Sequence, residues 1–232
     1  LVLKLFCNAS ANCPPLWWVL INSSCFRIIC LVLLSRLWLN ECTYFAQKIA
    51  NSYGIPVVAS AQGQDALPKN KYLRQLNSST VVTTMSQFQK KVLDQSKVNS
   101  KVVCWGTFSS VASNKEYDIV AVGSLIPLKN YNYLLKLFKE LKAVRPDFKA
   151  VIIGEGIERK KIEKLIFDFN LVENVHCLGL ISREETKINI SKSKILIHPS
   201  NYEGFGMVLI EALSVATHVL SSPVGYAFES DL

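Results

Sequence analysis

His198-Pro-Ser-Asn-Tyr-Glu203-Gly-Phe-Gly-Met-Val-Leu-Ile-Glu211-Ala-Leu213 is the stretch that decides the fold of this 232-residue sequence. The apolar run that ends at His198 predicts a buried strand, and the run that begins at Met207 has the spacing of a helix with one apolar face. Glu203 is therefore expected at the carboxyl end of a strand, just before a helix starts. The free N–H groups and the positive dipole end of such a helix favour an anionic ligand, for example a diphosphate.

Two carboxylates frame this helix start. Glu203 precedes the turn Gly204-Phe205-Gly206, and Glu211 follows eight residues after Glu203, one turn into the helix. At that position the oxygens of Glu211 can accept hydrogen bonds from sugar or ribose hydroxyls. The spacing also fits a helix-capping Glu before a glycine turn, with an unrelated second Glu. The spacing alone leaves both interpretations open.

Glu203 and Glu211 around Gly-Phe-Gly resemble the signature of the family 4 retaining glycosyltransferases, also called group 1, which have the GT-B fold. The resemblance implies that Glu203 contacts the transferred sugar and that Glu211 holds the ribose of a nucleotide-sugar donor. It implies that the loop between them contacts the diphosphate and the sugar, and that the anomeric configuration is retained. The loop residues expected at the donor are Gly204, Phe205, Gly206 and Met207.

A second segment, Gly123-Ser-Leu-Ile-Pro-Leu-Lys129, is similar to the family's Gly-Arg-Leu-x-Pro-x-Lys segment, whose Arg and Lys neutralise the leaving diphosphate. Lys129 keeps one cation, and Ser124 stands where the family has the Arg. Negative charge builds on the leaving phosphate as the donor bond breaks, so a fixed cation stabilises the transition state more than the ground state. We expect Lys129 and Glu203 to be catalytic, with Gly123 and Ser124 beside the donor. The alternative is that Lys129 is an ordinary exposed loop lysine.

Two further segments are expected at the donor. Gly154-Glu155-Gly156 ends a predicted strand, where glycine lets a nucleotide approach the backbone without meeting a Cβ. Leu178 lies in a segment that resembles the one lining the base. We interpret His176 and His198 as histidines packed in the core. The sequence has no Asp-x-Asp motif suited to Mg²⁺, so we expect a metal-independent reaction that needs no cofactor besides the nucleotide-sugar co-substrate.

The second half of the chain alternates apolar runs with amphipathic runs. This order predicts a parallel sheet covered by helices on both faces, with ligands at the carboxyl ends of the strands. Ser182 and Glu185 have the spacing of a capping box. The expected strands are 118–123, 150–154, 175–179, 194–198 and 218–221, and the expected helices are 131–144, 157–170, 182–191 and 207–215.

The predicted fold is α/β and GT-B-like, with two Rossmann-like parallel-sheet domains. An incomplete acceptor-side domain is expected over residues 1–112, and a truncated donor-binding domain over 113–232. In the first, a helix over 41–53 is expected to bury Tyr44, Phe45, Ile49 and Ala50, and Gln62 stands where the family has a His. The other elements expected there are strands 55–60, 79–84 and 101–105, a helix over 87–95 and a polar linker over 107–116.

The charge is uneven along the chain. Residues 1–113 carry 11 Lys/Arg and 3 Asp/Glu, whereas residues 114–232 carry 15 of each. A basic face suits anionic lipid or a phosphate-bearing acceptor, and a solvated surface is an equally good explanation. No nucleic-acid-binding motif accompanies the charge, so nucleic acid is not expected as a partner. Seven cysteines without metal-ligand or C-x-x-C spacing indicate reduced, buried thiols in a cytosolic protein.

The first 40 residues are strongly apolar, but polar residues interrupt both apolar runs. Neither run reaches the roughly 18–20 residues that a membrane-spanning helix needs. We interpret this segment as buried strands and a helix, with a membrane-associated hairpin as the alternative. Because the chain begins with Leu1, we expect it to be a fragment of a longer protein.

The resemblance implies a glycosyltransferase that moves a hexosyl group from a nucleotide sugar to a hydroxyl of a glycan or lipid-linked acceptor. It is expected in the cytoplasm, with a peripheral contact to the inner face of an anionic membrane. The alternatives are a non-catalytic nucleotide-sugar binding module and another GT-B enzyme, such as a sugar-nucleotide epimerase or a glycogen-synthase-like polymer extender. An unrelated Rossmann protein is disfavoured, because Gly-x-Gly-x-x-Gly is absent after every predicted strand.

Overall fold

The computed structural model describes residues 2–3, 19–20, 38–107 and 114–230. The chain divides into two compact units, one of Leu1–Met85 with Gln89–Val103, and one of Ser86–Phe88 with Cys104–Leu232. Most of the apolar N-terminal segment and the middle of the expected linker lie outside the described residues. The domain boundary at residue 112 therefore stays a prediction. Over the described ranges, no helix has both the length and the apolar character that crossing a membrane requires.

The described part of the first unit contains a three-stranded parallel sheet in the order β3-β4-β5. Its core consists of small and aliphatic side chains, such as Ala59, Val82 and Leu93, which are at most 2% exposed. The elements are the antiparallel pair β1 (Val2–Leu3) and β2 (Val19–Leu20), α1 (Glu41–Ser52), β3 (Val57–Ser60), β4 (Thr80–Thr84), α2 (Gln87–Gln95) and β5 (Ser100–Val102).

The predicted buried side of α1 is wrong for two of its four residues. Phe45 and Ile49 are exposed, and the side chains that α1 buries are Thr43, Gln47 and Ala50. This polar face is stable because its groups are hydrogen-bonded: the Gln47 side-chain oxygen accepts bonds of 2.8 Å from the Asn77 N–H and the Thr80 hydroxyl. Apolar periodicity alone does not identify a buried face of this kind.

The second unit is a five-stranded parallel sheet in the order β10-β9-β6-β7-β8, as predicted from the alternating runs. Ser182 and Glu185 form the expected capping box at the start of α5. The elements are β6 (Tyr117–Val122), α3 (Tyr131–Val144), β7 (Ala150–Ile153), α4 (Arg159–Asp168), β8 (Val175–Gly179), α5 (Arg183–Ser191), β9 (Ser193–His198), α6 (Met207–Leu213) and β10 (His218–Ser221).

Both faces of this sheet are buried. Successive side chains of a strand point to opposite faces, so Ile119 of β6 packs in one apolar cluster with Phe138 of α3. The next residue, Val120, packs in a second cluster with Leu209 of α6. A strand that must be apolar on both faces reads as a continuous apolar run, which is the pattern that predicted the parallel sheet.

The strand order places a topological switch point between β6 and β9. The chain proceeds from β6 outward through β7 to β8, then crosses back to β9 on the other side of β6 and continues to β10. The loops that leave the carboxyl ends of β6 and β9 therefore diverge, and the gap between them is where open α/β sheets bind ligands. The segment Gly123–Lys129 follows β6, and the segment that contains Glu203 follows β9.

The prediction that the cysteines are reduced and buried is confirmed only in part. The structure describes three cysteines, Cys42, Cys104 and Cys177, of which Cys104 and Cys177 are free thiols. Cys104 is exposed, which corrects the expectation of burial, and the other two are half-buried. Cys104 lies just past the end of β5, where the chain leaves the sheet.

Candidate active site

A small cleft opens at the switch point of the five-stranded sheet. Its floor is formed by the last residues of β6 and β9, and its sides by the segments that follow these two strands. The lining residues are Ala121, Val122, Lys129, Tyr131, Ile197, His198, Pro199 and Ser200.

Backbone geometry holds Lys129 at the edge of this cleft. Pro127–Lys129 forms a short 3₁₀ turn after β6, and Asn130 ends it with a positive φ of 55° before α3 begins. Asn is one of the few residues that tolerate this conformation. The N–H of Asn201 donates a 2.9 Å hydrogen bond to the carbonyl of Leu128, which ties the segment after β9 to the segment after β6.

Lys129, which lines the cleft, forms an ion pair with Glu203. The Lys129 ammonium contacts Oε1 of Glu203, and the side chains are 19% and 14% exposed. The same oxygen lies 2.9 Å from Nε2 of His198, the last residue of β9, which is 3% exposed. The structure thus brings together the two residues expected to be catalytic, although they are 74 positions apart in the sequence.

The surroundings of Glu203 keep its carboxyl group ionised. Burial by itself raises the pKa of Glu203, but the hydrogen bond to His198 and the charge of Lys129 outweigh it and lower the pKa to about 2 from its ordinary 4.5. An ionised carboxylate can only accept hydrogen bonds. At neutral pH, Glu203 is therefore a fixed negative charge next to a fixed positive charge.

The loop after Glu203 turns directly into α6. Gly206 precedes α6 with a φ of 84°, and Phe205 is 3% exposed. The Tyr226 N–H donates a 2.7 Å hydrogen bond to the carbonyl of Phe205, so the segment after β10 supports this loop. Met207, the first residue of α6, is half-buried, and Gly204 is buried. These contacts fix the position of the loop without the need for a ligand.

Glu211 lies on α6, where its carboxylate pairs with an arginine. Oε1 of Glu211 accepts a 2.9 Å hydrogen bond from Nη2 of Arg183, at the start of α5. The Glu211 side chain is 11% exposed, whereas that of Arg183 is 65% exposed. The pair therefore presents a cation to solvent beside the carboxylate that was expected to hold a ribose.

The other residues expected at the donor lie in the loops that follow β6 and β7 and near the end of β8. Ser124 is exposed after β6, and Glu155 is exposed after β7, where it pairs with Arg159 at 2.8 Å. Leu178 is 40% exposed near the end of β8. His176, interpreted as a core histidine, is exposed, so that prediction is wrong: its position in β8, at an edge of the sheet, leaves its side chain in solvent.

Gly154 and Gly156 are required for packing between loops. A Cβ on Gly154 would lie 2.0 Å from the carbonyl oxygen of Gly123, and one on Gly156 would lie 2.4 Å from that of Leu125. Gly154 also has a φ of 142°, which other residues rarely adopt. The loops after β6 and β7 thus lie backbone to backbone, and this contact by itself accounts for the two glycines.

Gly154→Ala should destabilise the second unit by about 1–3 kcal/mol, because the added methyl group forces the two loops apart. Gly106→Ala is the control, since a Cβ there has no heavy atom within 4 Å. Denaturant unfolding of both variants measures the difference. Equal stability of the two would contradict the backbone-to-backbone packing described above.

Three residues at the site were not identified from the sequence. His198 was interpreted as a packed histidine in preference to a catalytic one. It is buried as expected, but it also contacts Glu203; its position as the last residue of a strand five residues before Glu203 was the available signal. Arg183 follows the capping Ser182 and gave no signal of its own. The buried Tyr131 hydroxyl donates a 3.0 Å hydrogen bond to the carbonyl of Gly123, and burial raises its pKa above the ordinary value.

Comparison with known proteins identifies the family of this chain. Residues 107–229 match the family described as glycosyl transferases group 1. The chain is 29% identical over 187 residues to an uncharacterized glycosyltransferase of Methanocaldococcus jannaschii, covering 76% of this chain and 52% of that protein. It is 30% identical over 116 residues to the phosphatidylinositol N-acetylglucosaminyltransferase gpi3 subunit of Schizosaccharomyces pombe, covering 50% of this chain and 25% of that subunit.

Solved structures show the same fold. Anabaena HepE in complex with UDP superposes with a TM-score of 0.69 at 16% identity, covering 84% of this chain and 61% of that one. Sucrose-phosphate synthase from Thermosynechococcus elongatus superposes with a TM-score of 0.67 at 22% identity, covering 82% and 55%. The α/β fold, with Rossmann-like parallel sheets, is that of GT-B glycosyltransferases, as predicted.

The chain belongs to the glycosyl transferases of group 1. It spans about half the length of the first relatives it matches, 52% of one and 55% of another.

Proposed function

We propose that the protein transfers a hexosyl group from a nucleotide sugar to an acceptor hydroxyl, with retention of configuration and without a metal ion. The observation that carries the proposal is the pairing of Lys129 and Glu203 at the switch point of the sheet. A cation there can receive the charge of a leaving diphosphate, and a carboxylate there can hold the sugar. Family membership supports the same reaction class.

In this proposal the donor lies across the carboxyl ends of β6 to β9. Lys129 stabilises the diphosphate, and Glu203 orients the sugar and stabilises positive charge on its ring. Glu211 binds the ribose, with Arg183 holding its carboxylate. The loop after β7, which carries Glu155, and the end of β8, which carries Leu178, lie at the base. No enzymic nucleophile is assigned.

The named relatives support a choice of donors and acceptors to test first. HepE was solved with UDP, and also with UDP and glucose, so UDP-sugars are the first donors to test. The Schizosaccharomyces pombe relative is named for transfer of N-acetylglucosamine to phosphatidylinositol. A lipid-linked acceptor would place the protein in the cytoplasm at an anionic membrane face, consistent with the basic first half of the chain.

Binding of a nucleoside diphosphate is the expected result that tests this proposal. Isothermal titration calorimetry of the chain with UDP, GDP and ADP should give heat with at least one of them, because the residues assigned to the nucleotide all lie in the second unit. No heat with any of the three would overturn the assignment. Donor binding without donor hydrolysis or sugar transfer would instead favour a non-catalytic nucleotide-sugar binding module.

A further inference from the structure

His198 is a buried polar residue at the centre of the site. It ends β9, only 3% of it is exposed, and Nε2 lies 2.9 Å from Oε1 of Glu203. Because Glu203 is ionised and can only accept, Nε2 must carry the hydrogen and donate it. A buried imidazole is costly unless it makes such a bond, so an apolar side chain would fill this position at lower cost if packing were its only role.

His198 and Lys129 share one oxygen of Glu203. Both contact Oε1, whereas Oε2 has no hydrogen-bond partner among the described residues. The two donors differ in mobility. The Lys129 ammonium ends a flexible four-carbon side chain, whereas His198 is enclosed at the end of a central strand. Only His198 is rigidly placed with respect to the sheet.

A diphosphate in the cleft competes with Glu203 for Lys129. In the proposed function, Lys129 must turn toward the leaving diphosphate, and Glu203 then loses one of its two donors. Without a second donor, a buried carboxylate is free to rotate, and rotation would misplace the oxygen that meets the sugar. A misplacement of about 1 Å is enough to lower an enzymatic rate about a hundredfold.

We infer that His198 is a positioning residue that holds Oε1 of Glu203 while Lys129 turns to the diphosphate, leaving Oε2 for the hydroxyls of the donor sugar. The inference rests on the proposed function. In the structure, Lys129 and His198 contact the same oxygen of Glu203. The inference gives them separate roles: Lys129 serves both the carboxylate and the diphosphate, whereas His198 serves the carboxylate alone.

The test compares His198→Leu with His198→Gln. Leu keeps the volume and removes the donor, whereas the side-chain amide of Gln can donate from near the position of Nε2. Calorimetry measures the affinity for UDP-glucose, UDP-N-acetylglucosamine and GDP-mannose, and for UDP and GDP alone. The difference between each nucleotide sugar and its bare nucleoside diphosphate is the contribution of the sugar to affinity. For the nucleotide sugar that binds most tightly, His198→Leu should lower the affinity about tenfold. The same substitution should change the affinity for the bare nucleotide less than twofold. His198→Gln should recover most of the lost affinity for the nucleotide sugar.

A second measurement needs no ligand. In a carbon-13 NMR titration of the Glu203 carboxyl, His198→Leu should raise its pKa and His198→Gln should restore it. If the pKa stays the same in both variants, or if sugar and bare nucleotide lose affinity equally, the positioning role is overturned. If the unmodified protein binds none of the nucleotides or nucleotide sugars, the proposed function fails, and with it the role of His198 toward a donor sugar.

Discussion

Glu203→Gln is expected to lower kcat about 10²–10³-fold while leaving the affinity for a bare nucleoside diphosphate unchanged or higher. The substitution keeps the shape of the side chain and removes the charge that we propose stabilises the sugar ring as positive charge develops, and one such electrostatic contact typically contributes this much. Affinity for the bare nucleotide can rise, because Lys129 no longer has a carboxylate partner. Steady-state kinetics and calorimetry with UDP measure the two effects separately.

Glu211→Gln is the informative comparison for Glu203→Gln. A contact between Glu211 and a ribose would be the same in the ground state and the transition state. The variant should therefore raise KM for the donor about tenfold and lower kcat by less than that. Glu184→Gln, at an exposed position of α5, is the control for loss of a carboxylate elsewhere. Identical kinetic profiles for Glu203→Gln and Glu211→Gln would contradict the separate roles, and no effect in either would make the motif structural.

Lys129→Met is expected to weaken diphosphate binding about 10–100-fold, as the loss of a charge-assisted contact predicts. Because Lys129 pairs with Glu203, the substitution should also lower the stability of the fold, an effect that the sequence did not suggest. The variant leaves a largely buried carboxylate with His198 as its remaining donor. Stability at pH 7 should fall by roughly 1–3 kcal/mol, less than for a fully buried pair, because both side chains keep some exposure to water. Lys136→Met on the exposed side of α3 is the control.

The pH dependence of unfolding checks the same ion pair. The pKa of Glu203 is about 2 in the folded chain against an ordinary 4.5. Ionised Glu203 therefore contributes about 3 kcal/mol to the free energy of unfolding. This contribution is fully present above pH 4.5 and is lost as the pH falls toward 2. Glu203→Gln should lack this loss, and Lys129→Met/Glu203→Gln should be more stable at pH 7 than Lys129→Met alone. Parallel pH profiles for the wild type and Glu203→Gln would refute the pairing.

The sheet of the second unit could be predicted from the sequence because its strands are buried on both faces. A continuous apolar run such as the one that ends at His198 is typical of a buried parallel strand. One of the helices, α5, is also marked by its capping box of Ser182 and Glu185. The buried face of α1 could not be predicted in the same way. Gln47 is buried because Asn77 and Thr80, some thirty residues away, donate to it, and no periodicity within the helix carries that information.

The motifs in the sequence identified most of the expected site residues, but they did not show which of these side chains contact each other. Lys129 and Glu203 were selected separately, each by its own segment, and nothing in either segment shows that the two side chains meet. Arg183 reaches Glu211 only through the packing of the fold, because the two residues are 28 positions apart, whereas His198 lies only five residues before Glu203. Sequence spacing identifies the residues of one loop, whereas the partners come from loops that only the fold brings together.

The strand order also has a consequence for folding. The segment from β6 to β8 can form from contacts close in sequence, but Lys129 meets Glu203 only after a closure of 74 residues has paired β9 with β6. Closing so long a loop costs entropy before its contacts form, so this pairing belongs to the slow part of assembly. A nucleotide bound at the carboxyl ends of the two strands would stabilise only the fully paired chain, by about 2.7 kcal/mol at a hundred times its Kd. The ligand would thus act on the chain's maturation as well as on its chemistry, by drawing late intermediates into the native state.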